Sequence, residues 1–125
     1  MLDVPGGLAQ PEGQAAFFVP IAPTTNNLYD NTPYGRRKSL GYRKWLVEAG
    51  WRVREQKVRA VPGTRWALTI AAPINMRRDI SNVIKATEDL IVELQLIPDD
   101  RFIDSLHVMR TTEGKEMYVT LRALA

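Results

Sequence analysis

Residues 77–100 read RRDISNVIKATEDLIVELQLIPDD, the strongest helical pattern of the chain. Ile80, Val83, Ile84, Thr87, Leu90, Ile91 and Leu94 recur at helical spacing and cover an arc of roughly 120°, the stripe of a helix packed on a core. Ser81, Lys85 and Asp89 follow one another by four and form a ridge outside that stripe. Pro98 stops the helix, and Asp99 and Asp100 follow in a loop. Upstream, Trp66, Leu68 and Ile70 alternate as a strand that Pro73 ends. Downstream, Leu106 and Val108, then Val119 and Leu121, alternate as two more strands, with Thr112-Glu113-Gly114-Lys115 as the expected hairpin turn between them.

Toward the N-terminus, Phe17, Val19 and Ile21 alternate as a first strand. Pro20 has no N–H to give a ladder, which places that strand at a sheet edge or interrupts it. Residues 23–35, PTTNNLYDNTPYG, are turn chemistry throughout. A helix is expected from Ser39, a good N-cap, to about Lys57, with Tyr42, Trp45, Leu46, Ala49 and Val53 as its inward face. Residues 1–14, rich in Gly and Pro, read as a flexible tail, leaving 15–125 as one domain. The expected order is β-α-β-α-β-β: an α/β (α+β) chain with a small mixed sheet and two main helices.

A length of 125 residues suits a single core. The chain has no cysteine, which excludes disulfides, thiolate zinc sites and cysteine nucleophiles. Its one histidine, His107, reads as a plain strand residue and excludes multi-histidine metal sites. No apolar run approaches the ~20 residues of a membrane helix, and no signal-peptide pattern opens the chain, so a cytoplasmic protein without a membrane partner is expected.

The net charge of +3 is unevenly placed. Arg36, Arg37, Lys38, Arg43, Lys44, Arg52, Arg54, Lys57 and Arg59 face only Glu48 and Glu55 in their stretch, whereas acids gather from Asp79 to Asp104. Such a division suits a chain that holds a polyanion with one part and a metal with the other. On composition alone, two solvated faces are the expected reading. Trp45 sits at core spacing, while Tyr29 and Trp51 are candidates to stack on exposed bases.

Residues 77–100 resemble the RusA-type Holliday-junction resolvases. That family's pattern reads R-D-x-D-N, then x-x-K, a helix with an Asp, and a D-D pair after it; the present stretch aligns with it without a gap. Pro23-Thr24-Thr25-Asn26-Asn27-Leu28-Tyr29 resembles the family's P-x-x-N-x-x-Y loop, and the likeness spans about residues 17 to 121. The resemblance implies a Mg²⁺-dependent endodeoxyribonuclease that acts as a homodimer on four-way DNA junctions in recombination and repair. It implies catalytic roles for Asp79, Lys85 and Asp100. It also makes Asn26, Asn27 and Tyr29 candidate DNA contacts. At position 81 the chain departs from the family, since Ser81 stands where the pattern has an acid.

The chemistry of the residues agrees with that implication. Phosphodiester hydrolysis needs an activated water and charge neutralisation at phosphorus, which a dication held by carboxylates supplies. Asp79 and Asp100 are hard oxygen ligands, with Asp99, Asn82 and Asp89 as further candidates; such ligands suit Mg²⁺ or Mn²⁺. Lys85 is a compact cation for the phosphate. Arg36, Arg37, Lys38, Arg43, Lys44, Arg77 and Arg78 are the expected backbone contacts. Each has a blander reading: Asp79 as a charge at a helix N-terminus, Lys85 with Asp89 as a surface pair, Asp99 and Asp100 as plain loop. Ser81 leaves two alternatives, a working nuclease in which another oxygen replaces the acid, or a weak or inactive protein that binds branched DNA. A domain without any nucleic-acid role is the third.

Chain geometry constrains the acids. A helix from Ser81 to Gln95 holds its ends ~20 Å apart, and the five residues from Leu96 to Asp100 span at most ~17 Å. Asp100 therefore returns to Asp79 of its own chain only if the helix ends early. In a symmetric dimer, Asp100 can instead approach Asp79 of the partner subunit.

Overall fold

The computed structural model describes residues 13–125. The elements are β1 (Gln14–Pro20), β2 (Tyr29–Thr32), β3 (Gly35–Lys38), α1 (Leu40–Glu55), β4 (Trp66–Pro73), α2 (Ile84–Glu93), β5 (Ile103–Thr112) and β6 (Glu116–Ala123). β1, β6, β4 and β5 form a mixed sheet in that order, and β2 pairs with β3 apart from it. β6 is antiparallel to both β1 and β4, whereas β4 and β5 are parallel. The parallel pair is joined through α2, the crossover that parallel strands require. The expected mixed sheet with two main helices is what forms. Residues 1–12 of the expected tail lie outside the described residues; Gln14, the last residue assigned to it, belongs to β1 and pairs with Arg122.

One sheet face carries Phe17, Val19, Trp66, Leu68, Ile70, Met117, Val119 and Leu121, all buried, and these pack with Tyr42, Leu46, Leu90 and Ile91 of the two helices in one core. The inward stripe of α1 is the one the spacing predicts, since Tyr42, Trp45, Leu46, Ala49 and Val53 are all buried; in α2 the predicted Thr87, Leu90 and Ile91 are buried together with Ala86, while Ile84 is half-buried. Ser39 is the N-cap of α1, accepting from the Tyr42 N–H at 3.1 Å.

Three expectations need correction. The stretch expected as turn throughout carries the hairpin β2–β3, whose strands have no apolar alternation and are held by backbone pairing across Pro33-Tyr34. Arg36, Arg37 and Lys38 thus lie on a strand. β5 and β6 do not form a hairpin, because β4 lies between them and residues 113–115 cross its end. The second helix is also shorter than its periodicity: Ile80–Val83 form a 3-10 turn and α2 stops at Glu93. Gln95 adopts φ 59°, and Leu96 N–H bonds back to Ile91 at 2.9 Å, which closes the helix and turns the chain around.

The outer margin of β1 is covered by side chains of α1 and its cap. Gln56, 5% exposed, accepts from Phe18 N–H at 2.9 Å and donates to Phe18 C=O at 2.7 Å and Arg52 C=O at 2.8 Å. Trp45 Nε1 donates to Pro20 C=O at 3.2 Å. Pro20 accordingly sits on an edge strand, as its missing N–H requires. Gln56→Leu keeps the bulk but strands the Phe18 amide and carbonyl, so a loss of about 1–3 kcal/mol is expected in urea unfolding.

Candidate functional site

The early end of α2 decides where the acids go. Because the chain reverses at Gln95, Asp99 and Asp100 come back alongside the first turns of the helix. Lys85 Nζ lies 3.0 Å from Asp89 Oδ1 and 3.9 Å from Asp100 Oδ2. Asp89 Oδ2 accepts from Tyr29 OH at 3.3 Å and from Tyr42 OH. An open groove of about 380 Å³ is lined by Tyr29, Lys38, Asp89, Glu93, Asp99 and Asp100, among others.

The electrostatics follow from this packing. Burial, then the hydrogen bond to Asp89, pushes the Tyr42 hydroxyl far above its ordinary value. Burial and the charge of Asp89 raise Tyr29 likewise. Both phenols therefore stay protonated as donors to a carboxylate. The hydrogen bond to Asp89 raises Lys85, outweighing its desolvation. Burial and nearby Asp100 raise the Glu88 carboxyl. Asp99 is lowered by the backbone N–H of Arg101, which it caps at 3.0 Å.

Asp79 stands six residues before Lys85, at the start of the turn that leads into α2. It is exposed, occupies the N-cap of the turn Ile80–Val83, and makes no side-chain capping bond. Its neighbour Arg78 donates to Ala22 C=O, while Arg110 Nη2 donates to Arg78 C=O at 2.6 Å and Arg110 Nε to Met76 C=O at 3.3 Å. The loop bearing Asp79 is thus tied near the end of β5, whereas Asp100 leads into its start. Among the described residues no three or more His, Asp or Glu gather to hold a metal within one chain. Carboxylate oxygens suit a hard dication, and one chain brings two of them, Asp89 and Asp100, to Lys85. Ser81 is exposed on the ridge and Asn82 is half-buried beside it.

The basic candidates divide. Arg37, Arg43, Lys44 and Arg77 are exposed. Arg36 lies 4.7 Å above the Tyr29 ring and Lys38 5.9 Å from that of Tyr42. Arg78 spends its guanidinium partly on Ala22. Arg52, counted in the basic stretch, makes a two-pronged pair with Glu116 at 2.9 and 3.0 Å and so fastens α1 to β6. Asn26 and Asn27 are exposed in a 3-10 turn, and the Asn27 carbonyl accepts from Ser39 Oγ at 2.7 Å. Trp51 is 66% exposed with Arg54 above its ring.

Two participants escape sequence reasoning. Tyr42 sits on the core face of α1, and only its hydroxyl reaches Asp89; spacing shows the ring, not the tip. Arg110 lies in a strand with no motif around it, and its two carbonyl partners are visible only in three dimensions.

A family model described as endodeoxyribonuclease RusA matches residues 21–122. No curated protein sequence matches the chain.

Proposed function

Because this chain belongs to the endodeoxyribonuclease RusA family, we propose that it is a structure-selective nuclease that resolves four-way DNA junctions in recombination and repair. We propose further that it works as a homodimer with Mg²⁺, or Mn²⁺, as cofactor. The observation that carries this reading is the approach of Asp100 to Lys85 at 3.9 Å, which brings together two candidate catalytic residues from the two ends of the family-like stretch.

Lys85 is placed to neutralise charge on a scissile phosphate, and Asp79 and Asp100 are the carboxylates that would hold the dication. When bound, that ion supplies charge neutralisation and a more acidic water. Arg37, Arg43, Lys44 and Arg77 present exposed cations for the flanking backbone. In such a dimer Asp79 of one protomer would face Asp100 of its partner. β5 is an open sheet edge of ten residues with Ser105, Leu106 and His107 exposed. Two-fold antiparallel pairing along it would set the start of one β5, with its Asp100, against the end of the partner's, with its Asp79.

The test is a synthetic four-way junction, with and without Mg²⁺. Paired symmetric cuts that need the ion support the reading; an intact, unshifted junction at low salt overturns it. Ser81 favours one rival reading, a junction-binding protein that cuts poorly, because an uncharged hydroxyl stands where the family pattern has an acid. Ser81→Asp separates them. Cleavage that rises at least severalfold means the serine limits metal affinity, and an unchanged rate in an active protein means another oxygen already serves.

A further inference from the structure

Resting on that nuclease reading, we propose that Asp89 is a positioning residue: anchored by Tyr29 and Tyr42, it fixes the Lys85 ammonium beside Asp100. Its carboxylate is already engaged on both oxygens. Oδ1 takes Lys85 Nζ at 3.0 Å, and Oδ2 takes the Tyr29 hydroxyl at 3.3 Å and that of Tyr42. The Asp89 side chain is 18% exposed, against 46% for Lys85. Three of the roughly four acceptor positions of the carboxylate are thus taken by protein donors.

The contact is more than a surface pair. Lys before Asp at four residues is the less favourable order on a helix, and exposed pairs of that kind hold little. Here the carboxylate is held from outside the helix. Tyr42 comes from the buried face of α1 and Tyr29 from the base of the β2–β3 hairpin, so two other elements set where Asp89 stands. Lysine has a flexible four-carbon stem and no preferred direction of its own. Its head, pinned on one side by Asp89, faces Asp100 on the other. Arg36 over the Tyr29 ring places a candidate backbone contact against the same anchor.

The test compares the parent, Asp89→Asn, Tyr42→Phe, Lys85→Ala and the double variant Asp89→Asn/Lys85→Ala. Each is assayed for junction affinity and for single-turnover cleavage in Mg²⁺. Asp89→Asn still accepts from both phenols but loses its grip on the ammonium. We expect cleavage about 10- to 10²-fold slower, with affinity within about twofold, and no further loss when Lys85 is already alanine. Tyr42→Phe is expected to act in the same direction, with the same silence in the Lys85→Ala background. A merely structural role would instead multiply the two losses, and that result overturns the proposal, as does an Asp89→Asn variant that cuts at the parent rate. A parent that cuts no junction sinks the nuclease reading, and the positioning claim is then decided by NMR. The two ε-protons of a pinned Lys85 resolve separately and merge in Asp89→Asn; ε-protons already merged in the parent refute it.

Discussion

Asp79→Asn is expected to lower single-turnover cleavage of a four-way junction by at least about 10²-fold, because it weakens the hold on the dication that neutralises transition-state charge. Junction affinity should stay near that of the parent, because the exposed arginines and lysines supply the grip. Asp100→Asn should behave the same way. Mixing the two variants is the sharper measurement. If each site takes Asp79 from one protomer and Asp100 from its partner, a mixed dimer holds one intact site and one doubly altered site. Equimolar mixing then restores about a quarter of the parent's activity, since half the dimers are mixed and each has one working site of two. No recovery after exchange of subunits would mean that both acids serve within one chain.

The second large effect is on stability. Ile70 lies at the middle of β4, the strand flanked by both β5 and β6, and is fully buried. Ile70→Ala is expected to cost about 2–5 kcal/mol, a large part of the 5–15 kcal/mol that holds a domain of ordinary stability. The urea midpoint should fall with the slope unchanged. Leu106→Ala on β5, where the residue is 44% exposed, should change the unfolding of a dilute monomer by no more than about 0.5 kcal/mol. A larger, concentration-dependent effect there would mark β5 as the subunit interface.

Much of the architecture was legible because burial writes a period into the chain. Tyr42, Trp45, Leu46, Ala49 and Val53 announce α1, and the alternation of Trp66, Leu68 and Ile70 announces β4. The β2–β3 hairpin was not legible, because Asp30, Asn31, Arg36 and Arg37 bury no face and leave no alternation to read. The order of the sheet was hidden for a different reason. Alternation in β5 and β6 shows strands but not which neighbour each one takes, and Pro73 ends β4 where the next connection can pass over it. At the site, the family-like stretch brought Lys85, Asp89 and Asp100 into view together. The end of the helix was the weak point: a left-handed residue at Gln95 carries no glycine to announce it. Asp89 was legible as a neighbour of Lys85, but its two phenol donors come from residues 47 and 60 positions away.

The sealing of the β1 margin by Gln56 and Trp45 has a consequence for how copies of this chain can add to one another. With the Phe18 amide and carbonyl and the Pro20 carbonyl already engaged, a strand from another molecule meets side chains along that part of β1, and the opposite border, β5, is the more open one. Two molecules that join at that border use it up in both, so association is self-limiting and stops short of a fibre.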